Sequence, residues 1–581
     1  MCLILCRTVQ FRILHVLIQL FSRMPGWVVL LLLFTTVTTS LQYSEDQYPI
    51  VATKLGKIRG NITQSRLGRV IYSFRGIRYA KPPVNELRFQ PPVPVEKWEG
   101  IYDATKDGMH CPQPRRFGSS SEDCLIVNVY TTQLPTTGKN PKRPVIIHIP
   151  SGRFFNGGSI STRLGPNYFM DQDIVLVTFN YRVASLGFLS TGDKYAPGNN
   201  GLKDQVELLK WVKNNIEDFG GDPNSVTITG YSAGGSSVVM HMVSPMSRGL
   251  FHKAASMSGY ALTVWQVPRN LLELSKKQAR LVGCPDDTSE NIVNCLKTVP
   301  AQRIGETLED FREFGIDPSI VWGPVIEGDF GQSRFLSENP FKLIMEGHFQ
   351  EVPFLVGQTK DELGNNALLD INNASLTREL NEEFERVAPI VFLYERNTSR
   401  SRYISRYVKS FYFHDKPIDR SQVENLTRAY SDPIVGFFNN RAAKLIARCG
   451  RKPVYYYCFT FQGRYSNLYL PKPDNISWVV HLDDLMYLLY DSVNFPLFGK
   501  DSPKPEVDMV EKLTTMYANF ARTGNPTPHK TEVLENVQWE PFTPKCQKYL
   551  DIGKNLVVKQ RLYQRRFEFW EYLFPLSIYQ K

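Results

Sequence analysis

One serine stands where a nucleophile would have to be. Gly230-Tyr231-Ser232-Ala233-Gly234 follows the apolar, β-branched run Val226-Thr-Ile-Thr229 and precedes a helical stretch. A serine on a tight strand-to-helix turn is held in a strained backbone conformation that exposes its hydroxyl, and glycines two residues to either side avoid collision with neighbouring backbone. The helix that starts just after it points its first N–H groups at developing negative charge. The five-residue pattern alone is common; its place between a strand and a helix favours a nucleophile over an ordinary turn serine.

A serine hydroxyl is a poor nucleophile at neutral pH, so it needs a histidine base, and the histidine needs an acid to fix its tautomer. Where this elbow occurs the chain order is serine, acid, histidine. That order sets aside His110 and His148 and leaves His241, His252, His348, His414, His481 and His529. The residues around these six do not choose among them. His481, between Val479-Val480 and Leu482-Asp483-Asp484-Leu485, reads as a loop residue between packed elements.

The elements that must position such groups alternate from about residue 145 onward. Val145–Ile149, Ile174–Phe179, Val226–Thr229, Pro353–Gly357, Pro453–Phe459 and Lys548–Ile552 read as strands. In residues 201–219, Leu202, Val206, Leu209, Val212 and Ile216 make one apolar helical stripe, and Pro505–Phe520 makes another. The alternation predicts an α/β fold with a large, mainly parallel central sheet and helices on both faces. No repeat, low-complexity tract or long Gly/Ser linker interrupts it, so residues 41–581 are expected to be a single catalytic domain.

Composition narrows the class. With 42% hydrophobic and 22% charged residues, the chain is neither a coiled coil, a collagen-like fibre nor wholly disordered. The net charge of +11 falls to +8 without Arg7, Arg12 and Arg23 of the N-terminal segment, and no basic run with interleaved aromatics suggests nucleic acid. Residues 1–40 read as a targeting segment. The apolar core Trp27–Phe34 after Arg23 fits a signal peptide, with Met24 as an alternative start and a retained signal anchor as the competing reading. No other stretch is long and apolar enough to span a bilayer.

Cysteines and acceptor sites agree with a secreted chain. Cys111 with Cys124 and Cys284 with Cys295 have 12 and 10 residues between them, which suggests two small disulfide loops. Neither spacing is that of a zinc or thioredoxin motif, and no metal site is expected. Cys449, Cys458 and Cys546 remain, with Cys458 in the apolar run Val454–Phe459 expected to pack as a small hydrophobe. N-glycosylation acceptors occur at Asn61, Asn373, Asn397, Asn425 and Asn475.

The sequence resembles the type-B carboxylesterase and cholinesterase family of α/β-hydrolases over essentially the whole mature chain. The shared landmarks are Phe74-Arg-Gly-Ile-Arg-Tyr-Ala80, Glu122-Asp-Cys-Leu125, Asn180-Tyr-Arg182, Gly198-Asn-Asn-Gly-Leu202, Gly230–Gly234, Lys360-Asp-Glu362, His481-Leu-Asp-Asp-Leu485 and Thr523-Gly-Asn-Pro526. The resemblance implies Ser232 as nucleophile, Glu362 as triad acid and His481 as general base, without metal or redox cofactor. It implies Gly152, Arg153 and Ala233 as backbone oxyanion donors, and Ser258 and Asp484 as polar supports of the histidine loop. The partner is a small-molecule ester; the oligomeric state is not legible.

Three departures stand out. Where the family usually has His-Gly-Gly-Gly, this chain has Pro150-Ser-Gly-Arg-Phe154, which keeps open a second reading as a weak or inactive adhesion or binding protein. Tyr231 replaces the common glutamate before the nucleophile. The Cys111–Cys124 loop lacks the tryptophan with which choline esterases hold a quaternary ammonium. The pattern is closer to secreted arthropod carboxylesterases of the glutactin-like and juvenile-hormone-esterase-like groups than to a cholinesterase. The subunit-joining cysteine of some relatives has no counterpart in Arg565–Trp570.

Overall fold

The structure, a computed structural model, describes residues 48–260, 262, 270–469 and 477–579. Contacts divide the chain into residues 1–50 and residues 51–581. The strands in chain order are β1 (Ile50–Ala52), β2 (Lys57–Arg59), β3 (Asn61–Gln64), β4 (Val70–Arg78), β5 (Ile101–Asp103), β6 (Ile126–Thr131) and β7 (Arg143–Ile149). They continue with β8 (Val175–Phe179), β9 (Gly221–Tyr231), β10 (Lys253–Met257), β11 (Phe354–Thr359), β12 (Val454–Phe459), β13 (Lys548–Ile552) and β14 (Leu556–Gln560). β1, β2 and β5 form a small sheet, and the other eleven form one large sheet in the order β14-β13-β12-β11-β10-β9-β7-β8-β6-β4-β3.

From β8 through β7, β9, β10, β11 and β12 to β13 every neighbour is parallel, and antiparallel strands close both ends. Parallel strands covered on both faces must be apolar on both. Alternate residues of β7 and β8 accordingly enter two separate cores: Ile147 and Val177 one, Ile146 and Leu176 the other. Helices α1 (Asn200–Asn215) and α2 (Ala233–Val243) pack on the first face through Leu202, Val206 and Val238. Helix α3 (Lys504–Thr523) covers the second with Met509, Leu513, Met516 and Phe520.

The expected elements are present with adjusted ends. The helix expected over 201–219 is α1 followed by a tighter turn at Ile216–Phe219, which Gly220 ends at φ 84°. β9 is longer than Val226–Thr229 because pairing to β7 begins at Gly221. β10 had no clear signal, since Lys253-Ala-Ala-Ser-Met257 is not β-branched. Its strand end lies close under α2: a Cβ on Gly235 would stand 2.7 Å from the Met257 carbonyl oxygen.

Both small disulfides are formed, with Cα atoms 5.0 Å apart for Cys111–Cys124 and 5.7 Å apart for Cys284–Cys295. Cys449, Cys458 and Cys546 are free, and Cys458 is buried in β12. Among the described residues no helix is long and apolar enough to cross a membrane, and no group of His, Cys, Asp and Glu is arranged to hold a metal. Asn61, Asn373, Asn397 and Asn425 all reach the surface. Asn475 and the targeting segment lie outside the described residues.

Candidate active site

The turns that leave the C-terminal ends of β7, β9, β10 and β11 carry most of the expected residues, as is usual for sites in parallel sheets. Ser232 joins β9 to α2 at φ 57° and ψ −116°, a conformation of order 1–3 kcal/mol above the relaxed backbone. The elbow survives because its flanks are crowded. A Cβ on Gly230 would lie 2.3 Å from the Gly234 carbonyl carbon, and one on Gly234 would lie 2.0 Å from the Ile149 oxygen. The Ser232 N–H donates to the Met257 carbonyl at 2.8 Å, pinning the elbow to the end of β10.

Glu362 follows β11 and is fully buried. Its Oε2 lies 2.5 Å from His481 Nδ1, and its Oε1 accepts the Thr359 N–H at 2.7 Å and the Ser258 hydroxyl at 2.6 Å. The His481 N–H also donates to the Glu362 carbonyl at 3.0 Å. A carboxylate that accepts at Nδ1 leaves Nε2 as the basic nitrogen. Ser232 and His481 line one cavity of about 610 Å³, and the histidine ring packs edge-on against Tyr231, 4.9 Å between centroids. Among the described residues the His481 ring makes one hydrogen bond, to Glu362. Resting enzymes often form the serine–histidine bond only with substrate bound.

The other histidines that sequence order left open are engaged or remote. His241 is buried with its ring nitrogens 2.7 Å from Ser247 Oγ and 2.9 Å from Gln205 Oε1. His252 contacts the Val226 N–H through Nδ1 at 3.2 Å. His348, His414 and His529 are exposed.

Tyr231, Ser258 and Asp484 meet behind the triad. Ser258 Oγ is 3.0 Å from the Tyr231 hydroxyl oxygen as well as 2.6 Å from Glu362. With one proton to give, it serves the carboxylate, and the phenol proton is left for the other contact. Asp484 accepts from the Tyr457 hydroxyl at 2.9 Å, and burial, followed by the charge of Glu362, pushes its carboxyl up to about 6. Burial and the same two acids hold the Tyr231 phenol well above its ordinary range.

The sequence did not single out the two acids that fasten the histidine loop most directly. Asp483 accepts the N–H groups of Val480 and Asn467 at 2.8 and 2.6 Å, and Asp361 accepts the Val479 N–H at 3.0 Å. Both lie within the landmark stretches Lys360–Glu362 and His481–Leu485, but their acceptor roles depend on contacts across the loop.

The turn after β7 adopts left-handed backbone at successive residues, with φ 124° at Gly152, 55° at Arg153 and 65° at Phe154. The arginine therefore keeps a conformation that glycine would take freely. Phe154 anchors the turn: its carbonyl accepts the Ala184 N–H at 2.7 Å, and its buried ring packs on Phe188 and Tyr260. Among the described residues the N–H groups of Gly152, Arg153 and Ala233 have no acceptor. Tyr260, just beyond Ser258, was also not anticipated. Burial raises its phenol well above the ordinary range, against the opposing effects of Arg153 and the Ser232 hydroxyl.

Known proteins resemble this chain over most of its length. A family model described as "Carboxylesterase family" matches residues 47–570. Juvenile hormone esterase of Tribolium castaneum is 38% identical over 513 residues, 85% of each chain. Esterase FE4 of Myzus persicae is 38% identical over 88% of this chain and 91% of its own. The crystal structure of juvenile hormone esterase from Manduca sexta, with OTFP covalently attached, superposes with a TM-score of 0.80 at 28% identity, covering 91% of this chain and 99% of that one.

Proposed function

The chain belongs to the carboxylesterase family and is a carboxylic ester hydrolase with an α/β-hydrolase fold; from that premise we propose that it works through an acyl-enzyme on Ser232. The observation that carries this reading is the buried contact of Glu362 Oε2 with His481 Nδ1 at 2.5 Å, in a cavity shared with Ser232. Ser232 Oγ adds to the ester carbonyl as His481 Nε2 takes its proton. The developing oxyanion turns toward the N–H groups of Gly152, Arg153 and Ala233. His481 then protonates the leaving alcohol, and the same steps with water in place of serine release the acid. Glu362 holds the ring and stabilises its cation, while Tyr231, Ser258 and Asp484 hold Glu362 and the histidine loop in place.

Each oxyanion donor is worth about 2.7–4 kcal/mol in the transition state of such reactions. Free N–H groups in the Gly152–Arg153 turn therefore support hydrolysis over a purely adhesive role. The two disulfides suit an oxidising compartment. The reading extends to a secreted chain: residues 1–40 as a removable leader, 41–581 as the hydrolase domain, and glycans on Asn61, Asn373, Asn397, Asn425 and Asn475.

The test is stoichiometric labelling by an organophosphate together with turnover of a p-nitrophenyl ester, on the native protein and on Ser232→Ala. Labelling and turnover that both vanish in the variant support the mechanism. A folded native protein that shows neither overturns it.

A further inference from the structure

The cavity over Ser232 has an unbalanced wall. Besides the triad it takes in Arg116, Arg153 and Arg312, and Glu309 is the one carboxylate outside the triad that lines it among the described residues. Glu309 is divided between two partners, Arg116 at one oxygen and Arg312 at the other, the latter at 2.5 Å. Arg153 is left without an ion pair or hydrogen bond among the described residues. Three guanidinium groups against Glu309 and the triad's Glu362 leave one positive charge in excess among the described lining, and Arg153 is the guanidinium that no carboxylate pairs. Asp317 lies near enough to act on Arg153 and Arg312 but pairs with neither; its carboxyl is held by Ser319 and Tyr430.

A second, independent feature points the same way. Asn366 lines this cavity at 3% exposure, and its Nδ2 has no acceptor among the described residues. An amide NH₂ group can only donate, and a buried donor left unpaired is costly. The unfilled capacity of the pocket is thus a guanidinium fork, which favours negative charge, and an amide donor, which needs an acceptor. A carboxylate fits a guanidinium in plane with two parallel hydrogen bonds and can accept from the amide as well, whereas an apolar chain satisfies neither group and a cation is repelled.

Resting on the esterase reading above, we propose that this pocket selects esters that carry a second, ionised carboxylate a few atoms from the scissile carbonyl, with Arg153 as the residue that recognises it. The side chain of Arg153 then sets specificity while its backbone N–H faces the oxyanion.

The experiment compares kcat/KM for mono-p-nitrophenyl glutarate with p-nitrophenyl valerate, and for para-(butyryloxy)benzoate with its methyl ester, after subtraction of spontaneous hydrolysis. The two pairs place the charge on the acyl and the alcohol side respectively. The expected result is a preference of about tenfold or more for the charged member of one pair, in line with a charge-assisted bidentate contact. The preference should shrink at high salt and disappear in Arg153→Gln, with Asn366→Leu as a second variant. Each variant is scored by the ratio of two substrates, so a general loss of activity cancels. Calorimetric binding of the corresponding non-hydrolysable amides gives the same comparison without turnover. Hydrolysis of the neutral esters without any preference overturns this inference and leaves the esterase reading standing. Tight, Arg153-dependent binding of the charged amides without hydrolysis of any ester overturns the acyl-enzyme reading and ester selection with it, and leaves Arg153 as a carboxylate-binding residue.

Discussion

The Tyr231 hydroxyl accepts the Leu482 N–H at 2.8 Å, joining the residue before the nucleophile to the residue after the base. Leu482 sits at φ 78°, so the histidine loop turns sharply at the point where this bond holds it. A glutamate here would put another charge beside Glu362 and Asp484; a phenol supplies the acceptor without the charge.

Tyr231→Phe keeps the ring packed on His481 but leaves the Leu482 N–H without its acceptor. An unmade buried bond costs about 1–3 kcal/mol. The expected outcome is a fall of roughly tenfold in kcat with little change in KM, because the loop carries the base and not the substrate contacts. Steady-state kinetics on one neutral ester measures the split; a change confined to KM would contradict the role.

Gly234→Ala drives a Cβ to 2.0 Å from the Ile149 oxygen and 2.9 Å from the Pro150 oxygen. Both obstacles are backbone at the start of the oxyanion turn, so relief must move the elbow or the turn. Destabilisation of about 3 kcal/mol is expected, at the upper end for overpacking, with loss of organophosphate labelling. Gly249→Ala is the control: its Cβ meets nothing within 4 Å, and it carries only the left-handed strain at φ 72°, about 1–2 kcal/mol, without a backbone clash.

Acid should cost the fold stability through His148. It is buried in β7, its Nε2 has no partner among the described residues, and burial lowers its pKa from 6.5 to about 3. Between those values the unfolded chain binds the proton and the folded chain does not, so stability falls as pH drops below about 6.5. At pH 5.5 the contribution is about 1.4 kcal/mol, because the folded group is still neutral there. Asp317, Asp483 and Asp484, each pushed up to about 6 by burial, act in the opposite sense, adding stability as pH falls from about 6 toward 3.8. A His148→Leu variant isolates the histidine: its Tm relative to the native protein should rise between pH 7.5 and 5.5 (round values, about one unit either side of 6.5). An unchanged difference would contradict the assignment.

The free thiols should react in order of exposure. Cys546 is exposed, Cys449 half-buried and Cys458 buried, with burial pushing the Cys458 thiol up to about 12. Under native conditions an alkylating reagent followed by peptide mass analysis should label Cys546 first and Cys458 only after unfolding. Early modification of Cys458 would show that β12 opens.

Ser232 was legible because its signal is local: two glycines, a strand before and a helix after. Glu362 and His481 were not legible from residue chemistry, since their contact spans 119 positions and five other histidines satisfied the same chain order. The resemblance chose them. Arg153 was visible as a departure, but its left-handed backbone goes with the bond between its neighbour Phe154 and the distant Ala184, which the local sequence does not show. Asn366 and Tyr260 gave no signal, because an unpaired buried donor exists only once its surroundings are assembled. β10 was missed for want of branched side chains, and its small residues are what its packing under α2 requires.

Beyond the last residues of β9 and β10 the sheet ladder takes one more step on each side: Ser232 N–H to Met257, then Ser258 N–H to Gly357 of β11. Nucleophile and carboxylate clamp are thus set to the same ruler as the strands, about 3.3 Å per residue. A slip of one residue between β9 and β11 would separate the reacting groups by more than a hydrogen bond spans and turn the slipped strand's side chains to the opposite face. During refolding, recovered hydrolysis therefore reports strand register, and it should lag behind recovery of helical signal and of buried surface.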